Sequence, residues 1–219
     1  MRRFSLVLAV MVTFAPSGFT QQAGPYKVLK TARVGGEGSW DYIYADVAGR
    51  RLYIPRRGTP AAPEVQTRLS IYNLDTLELV SEIVGVGGQG AAVDPKSGHG
   101  FTSSKPISMF DTKTMALIKT IDAGAAQPDG IYFDPFNERV YVFSHPTKDA
   151  TVIDAKDGAV LGTIDLGGIP EQAVGDGKGT LYVVMQDTQG SVAVVDVKAI
   201  ARTALTRRHR SAPRACPQA

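Results

Sequence analysis

Four oxygen-bearing side chains recur along this chain at a nearly constant interval. Asp41, Gln89, Asp129 and Glu171 stand 48, 40 and 42 residues apart, and each lies five positions before a further aspartate: Asp46, Asp94, Asp134 and Asp176. Carboxylates and amides gathered at one point are the donors that a hard cation such as calcium takes. They would serve a polar organic ligand equally well. Trp40, the only tryptophan, stands beside Asp41 and offers either an aromatic wall for a ligand or a surface to pack between sheets. Residues so far apart in sequence meet only if the elements carrying them converge.

Those elements repeat. "WDYIYADVAGRRLYIPRRG", "GAAVDPKSGHGFTSSK", "GIYFDPFNERVYVFSH" and "QAVGDGKGTLYVVMQD" share one plan: an apolar strand ending in aspartate, a turn of Pro, Gly or Asn, then a second strand. A third strand follows in "LSIYNLDT", "ISMFDTKT", "ATVIDAKDG" and "VAVVDVK", closing on Asp75, Asp111, Asp154 and Asp196. A fourth follows in "LELVSEIVGVG", "MALIKTIDAG" and "AVLGTIDLGG". Short alternating strands repeated about every 40 residues are the signature of a β-propeller blade. The expected fold is therefore all-β, with about four four-stranded blades forming an open arc. The units fall at about 38–86, 87–124, 125–168 and 169–200. The first is longer because "RRGTPAAPEVQTR" joins its second and third strands, reading as a surface insertion.

In such an arrangement each first strand lines the axis, so Asp41, Gln89, Asp129 and Glu171 would ring one mouth of the channel. A cation or ligand would bind there. Polar residues where strands begin beside water give the same pattern by capping exposed amides, so both readings stand.

"RLYIPRRG", "RVYVFSH" and "TLYVVMQD", followed by segments like "VIDAKDG", resemble the YVTN-repeat (YncE-like) β-propeller family over about residues 25–200. The resemblance implies a ring of roughly seven blades and an exported protein, and it leaves the ligand open. Other propellers, enzymes of the lactonase kind, hold a metal at the corresponding mouth.

Other chemistry is excluded by context. "GVGGQG" (85–90) has the G-x-G-x-x-G spacing of dinucleotide sites, but it runs into the strand "AAVDP" rather than into a helix whose N-terminus could face a pyrophosphate. "DAKDG" (154–158) lacks the alternate spacing of a calcium loop and reads as a hairpin turn. No zinc spacing, P-loop or G-x-S-x-G elbow occurs. His99 and His145 lie at or beside second strands of different units, where a metal or general-base role stands beside the commoner reading as surface histidines. No catalytic residue is assigned.

The two ends differ from the body. Arg2-Arg3 followed by the apolar run of residues 4–14 and Pro16-Ser17-Gly18 has the layout of an export signal over residues 1–23; the run is too short for a helix to cross a bilayer, and no transmembrane segment is expected. Residues 201–219 hold five arginines and no acid, with the only cysteine, Cys216. They read as a basic disordered tail, and a reading-frame change near residues 198–201 that truncates the propeller accounts for them. Setting both ends aside, residues 24–200 carry a net charge of −4 within a chain of formal charge +3. Nucleic-acid binding by the body is thus disfavoured. The sequence supports a periplasmic or secreted, non-catalytic propeller that binds a small molecule or protein at the channel mouth, with self-association through an open blade edge. A metal-dependent hydrolase or lactonase-like enzyme is one alternative, and nucleic-acid binding through the tail is the other.

Overall fold

The strands of each unit are closed by side chains that turn back on their own backbone. In a computed structural model, residues 26–35, 38–58, 67–124, 126–187 and 190–198 are described in full, together with the backbone of 201–206. At the first hairpin of each unit the anchoring aspartate accepts backbone N–H groups. Asp46 takes Gly49, Asp94 takes Lys96 and Ser97, Asp134 takes Phe136, and Asp176 takes Lys178 and Thr180, at 2.7–3.2 Å. These are Asx turns, in which a short side chain supplies the acceptor that a tight turn lacks. The repeat aspartates therefore set the hairpins and leave the site chemistry to other residues.

At the second turn of each unit Asp111, Asp154 and Asp196 act likewise. In the first unit the structure corrects the sequence reading. Asn73 fills the position assigned to Asp75, its Oδ1 accepting the N–H groups of Asp75 and Thr76 at 2.8 and 3.0 Å. Asp75 points outward to an ion pair with Arg50. The amide oxygen of Asn serves a turn as well as a carboxylate does, so the aspartate pattern slips by two residues. Asn73→Ala removes the acceptor of both hydrogen bonds and is expected to lower stability by about 1 kcal/mol, read from the urea midpoint.

Sixteen strands result among the described residues. The first blade comprises β1 (Tyr44–Asp46), β2 (Arg51–Arg56), β3 (Arg68–Asn73) and β4 (Leu79–Val84). The second comprises β5 (Ala91–Asp94), β6 (His99–Thr102), β7 (Ile107–Asp111) and β8 (Ala116–Ile121). The third is β9 (Pro128–Asp134), β10 (Arg139–Ser144), β11 (Asp149–Asp154) and β12 (Val160–Asp165). The fourth is β13 (Pro170–Gly175), β14 (Thr180–Met185), β15 (Ser191–Asp196) and β16 (Ala201–Thr206). Each blade is an antiparallel sheet with its strands in sequence order. The architecture is that of an incomplete β-propeller, as the repeat requires.

β16 revises the boundary of the basic segment. It pairs with β15 from Ala201 opposite Asp196 to Thr206 opposite Val192. An outer strand needs only backbone groups to complete a ladder, and "ARTALT" alternates well enough to supply them. The fourth sheet thus takes up the first six residues of that segment. Residues 207–219, the export-signal stretch 1–23 and the insertion 59–66 lie outside the described residues. The pairing of third and fourth strands shifts register in every blade: between Ile71 and Tyr72, Met109 and Phe110, Val152 and Ile153, and Val194 and Val195. A bulge at one position in four sheets bends each outer strand in the same way.

The core lies between blades. Tyr53, Leu69 and Ile71 of the first blade meet Val93 and Phe110 of the second. Phe101, Ile107 and Met109 of the second meet Val140, Val142 and Ile153 of the third. Tyr141, Phe143 and Val152 of the third meet Leu181, Val183 and Val195 of the fourth. Each middle blade is apolar on both faces, so β10 and β11 are buried almost throughout. In β14 buried and exposed residues alternate, because one face of the fourth sheet meets no neighbour among the described residues. The chain divides into two units, 1–33 and 34–219; in the first, the described residues 26–33 form no strand or helix. Among the described residues no helix is long and apolar enough to cross a membrane.

Candidate functional site

The first strands β1, β5, β9 and β13 run beside one another along the axis. Within a hairpin the start of the first strand and the end of the second lie at the same end, so one rim collects both sets of residues. Asp129 and Glu171 are the second residues of β9 and β13, Gln89 lies just ahead of β5, and Asp41 just ahead of β1. Arg57, His145 and Gln186 follow β2, β10 and β14. All seven, with Ser103, Ser104 and Lys105, line a cleft of about 740 Å³. The structure thus brings together four of the five residues singled out from the repeat.

Close approach of the two inner strands depends on a missing side chain. A Cβ on Gly130 would lie 2.0 Å from the carbonyl oxygen of Glu171. With hydrogen there instead, β9 and β13 come near enough for their carboxylates to share partners. Tyr42, next to Asp41, donates its hydroxyl to Glu171 Oε2 at 2.8 Å and lies 3.3 Å from Asp129 Oδ2. His145 Nε2 is 3.0 Å from Asp129 Oδ2 and 3.6 Å from Glu171 Oε1. Asp129 is buried, with 5% exposure, although it carries a carboxylate.

Burial drives the electrostatics. It pushes the Asp129 carboxyl above its ordinary range; His145 and the Tyr42 hydroxyl oppose the shift, while the Glu171 and Asp41 carboxylates reinforce it. Burial also raises the Tyr42 phenol, as do its hydrogen bond to Glu171 and the charges of Asp129, Glu171 and Asp41. Tyr42 is therefore a neutral donor across the accessible pH range. The cluster can hold a cation, move a proton through Asp129, or orient a polar ligand.

A carboxyl whose pKa is raised by folding destabilises the folded state once pH exceeds the unfolded value near 3.9, and has no such effect below it. Asp129→Asn is thus expected to raise the melting temperature at pH 7 by a few degrees, with the gain shrinking toward pH 3. Differential scanning calorimetry at the two pH values checks this. Loss of stability at pH 7 would show that Asp129 is held there for structure alone.

Three residues stand differently from their sequence reading. Trp40 does not line the cleft; the Arg56 guanidinium sits over its ring at 5.2 Å. Its exposed ring serves as a cation–π partner because Arg56 emerges from the neighbouring β2. His145 is a member of the site rather than a surface histidine. His99, by contrast, has its Nδ1 3.2 Å from the Ala155 carbonyl, where it ties the second blade to the third. Tyr42 carries no repeat signal, since the equivalent residues are Gly90, Gly130 and Gln172, and the counterparts of His145 are Arg57, Lys105 and Gln186, none of them an imidazole. An ionisable side chain directly after a second strand was the one local sign of His145.

No protein-family model matches the chain, and no curated protein matches it. Among solved structures it is similar to Kuenenia stuttgartiensis hydrazine synthase, with a TM-score of 0.64, 18% identity, and coverage of 82% of this chain and 52% of that one. The chain spans about half the length of that protein, and at this identity the likeness shows the fold alone.

Proposed function

We propose that this chain is an exported binding module, a β-propeller of the YVTN/YncE-like type whose ligand docks at the axial mouth. The observation that carries the reading is the convergence of Asp41, Tyr42, Gln89, Asp129, His145 and Glu171 at one rim of the arc. A cleft lined by carboxylates, amides, hydroxyls and two cationic residues, Arg57 and Lys105, suits a small polar ligand that brings its own hydrogen-bonding groups.

Thermal shift against a panel of sugars, carboxylic acids and amines tests the reading. At least one class is expected to stabilise the chain, and Gln186→Trp, which fills the rim from an exposed position, is expected to cancel that shift. If no class stabilises it, or if Gln186→Trp leaves the shift unchanged, docking at the mouth is wrong.

A second reading, a hydrolase, is favoured by one observation: a buried carboxyl with a raised pKa lies beside an imidazole and a phenol, which together form an acid–base set. Hydrolysis of model lactones or esters that disappears in Asp129→Asn would support it. As for the third alternative, residues 24–200 are expected to bind no nucleic acid at low salt, because a net charge of −4 presents no electrostatic footprint. A tight gel shift by that fragment would refute the expectation.

A further inference from the structure

The geometry points to a divalent-cation site formed by Asp129, His145 and Glu171, selective for a borderline metal such as zinc or cobalt over calcium. It rests on the reading of the mouth as a binding site and gives that site a specific occupant. Among the described residues these three are the one group of such side chains whose ligand atoms lie within 4.8 Å of one another.

Three observations separate this cluster from an ordinary group of acids. His145 Nε2 is shielded from solvent and makes no hydrogen bond, although Asp129 Oδ2 is only 3.0 Å away. The two groups are close but misaligned for sharing a proton, as expected when both face a common third atom. The two spacings from His145 are close to those of a shared ion. Two ligand atoms each about 2.1 Å from one ion stand about 3.0 Å apart at a right angle and about 3.4 Å apart at the tetrahedral angle, and the observed separations from Nε2 are 3.0 and 3.6 Å. Finally, Gln89 Oε1, on the same rim, is buried without a partner.

The donor set decides the metal. Carboxylates alone would suit calcium, which takes six to eight oxygens. One imidazole nitrogen and a small ligand number shift the preference to zinc, cobalt or their neighbours. Tyr42, hydrogen-bonded to Glu171 at 2.8 Å, holds that carboxylate in place as a positioning residue.

The full chain, stripped with chelator, is titrated separately with Zn²⁺, Co²⁺ and Ca²⁺, with calorimetry as the readout and visible absorption added for cobalt. One Zn²⁺ or Co²⁺ per chain is expected, bound at least ten-fold more tightly than Ca²⁺, with a cobalt spectrum showing nitrogen ligation. His145→Ala and Glu171→Gln are each expected to weaken Co²⁺ by more than the roughly 10–100-fold lost when an outer partner is removed, with unchanged circular dichroism. Tyr42→Phe should weaken it less and keep the spectrum. The inference is overturned if wild type binds neither metal stoichiometrically, if Ca²⁺ binds more tightly, or if folded His145→Ala or Glu171→Gln binds like wild type. Should one variant not fold, the wild-type stoichiometry and the other variant decide. An organic ligand that stabilises a chain unable to bind metal would overturn this inference and leave docking at the mouth standing. Metal binding with no organic ligand would do the reverse.

Discussion

Gly130→Ala is expected to cost about 1–3 kcal/mol, near the upper end of that range, and to weaken binding at the mouth at least ten-fold. The methyl carbon would lie 2.0 Å from the Glu171 carbonyl oxygen, 3.0 Å from its carbon and 3.3 Å from Gln172 Cα. All three are backbone atoms, so no rotamer relieves the clash and β9 must move away from β13. That movement separates Asp129 from Glu171, which is why affinity falls along with stability. Gly168→Ala is the control, since its Cβ would meet only the terminal methyl of the flexible Met185 side chain, at 3.0 Å. Urea unfolding and ligand or cation titration of the two variants check the pair. If Gly130→Ala matches wild type in both measurements, the strands are not held together by this contact.

The second large effect concerns association. Tyr132, Tyr141, Phe143, Ala150 and Val152 of the third blade pack against the fourth. The residues at the same strand positions of the fourth blade are Val174, Tyr182, Val184, Val192 and Val194. Tyr141 and Phe143 are 1% and 0% exposed, whereas Tyr182 and Val184 are 41% and 53% exposed. The fourth sheet thus presents an apolar face built like the interfaces within the arc. Purified wild-type chain is expected to show a concentration-dependent mass above that of the monomer in analytical ultracentrifugation. Tyr182→Lys with Val184→Lys should return it to a monomer, with a change in stability below about 1 kcal/mol because both side chains are exposed. A wild-type monomer at high concentration would show that this face does not drive association.

How much of this could be read from the sequence follows from which features repeat. Period-2 alternation and the turn residues recur in each unit, so the sheets, their order and the meeting of Asp41, Gln89, Asp129 and Glu171 were legible. Asn73 escaped because an amide performs the turn's chemistry without matching its letter, and a nearby aspartate fitted the pattern better. β16 escaped because an edge strand is specified mainly by the backbone of its neighbour, and the arginines masked the weak alternation of "ARTALT". Tyr42 escaped, and His145 read first as a surface residue, for a deeper reason. Arg57, Lys105, His145 and Gln186 occupy corresponding places, and although three of them are basic only one is an imidazole. Periodicity reveals the scaffold, while a site is built from departures that differ between units. Asp129 combined both, since its position was periodic and its burial became visible only in three dimensions.

The turns that close each blade draw their hydrogen bonds from residues two to four positions away. Blades meet through apolar clusters between adjacent sheets and through polar contacts such as His99–Ala155 and Asn137–Val197. Folding of such a chain is a nearest-neighbour process: a hairpin pair can form early from short-range contacts, and each blade added contributes one more interface. Stability should then grow stepwise with blade number, and hydrogen exchange should fade toward the terminal sheets while the second and third stay protected longest. The mouth residues Asp129 and Glu171 straddle the junction between the third sheet and the fourth. A bound ion or ligand there would link two adjacent cooperative units and delay the fraying of the last one.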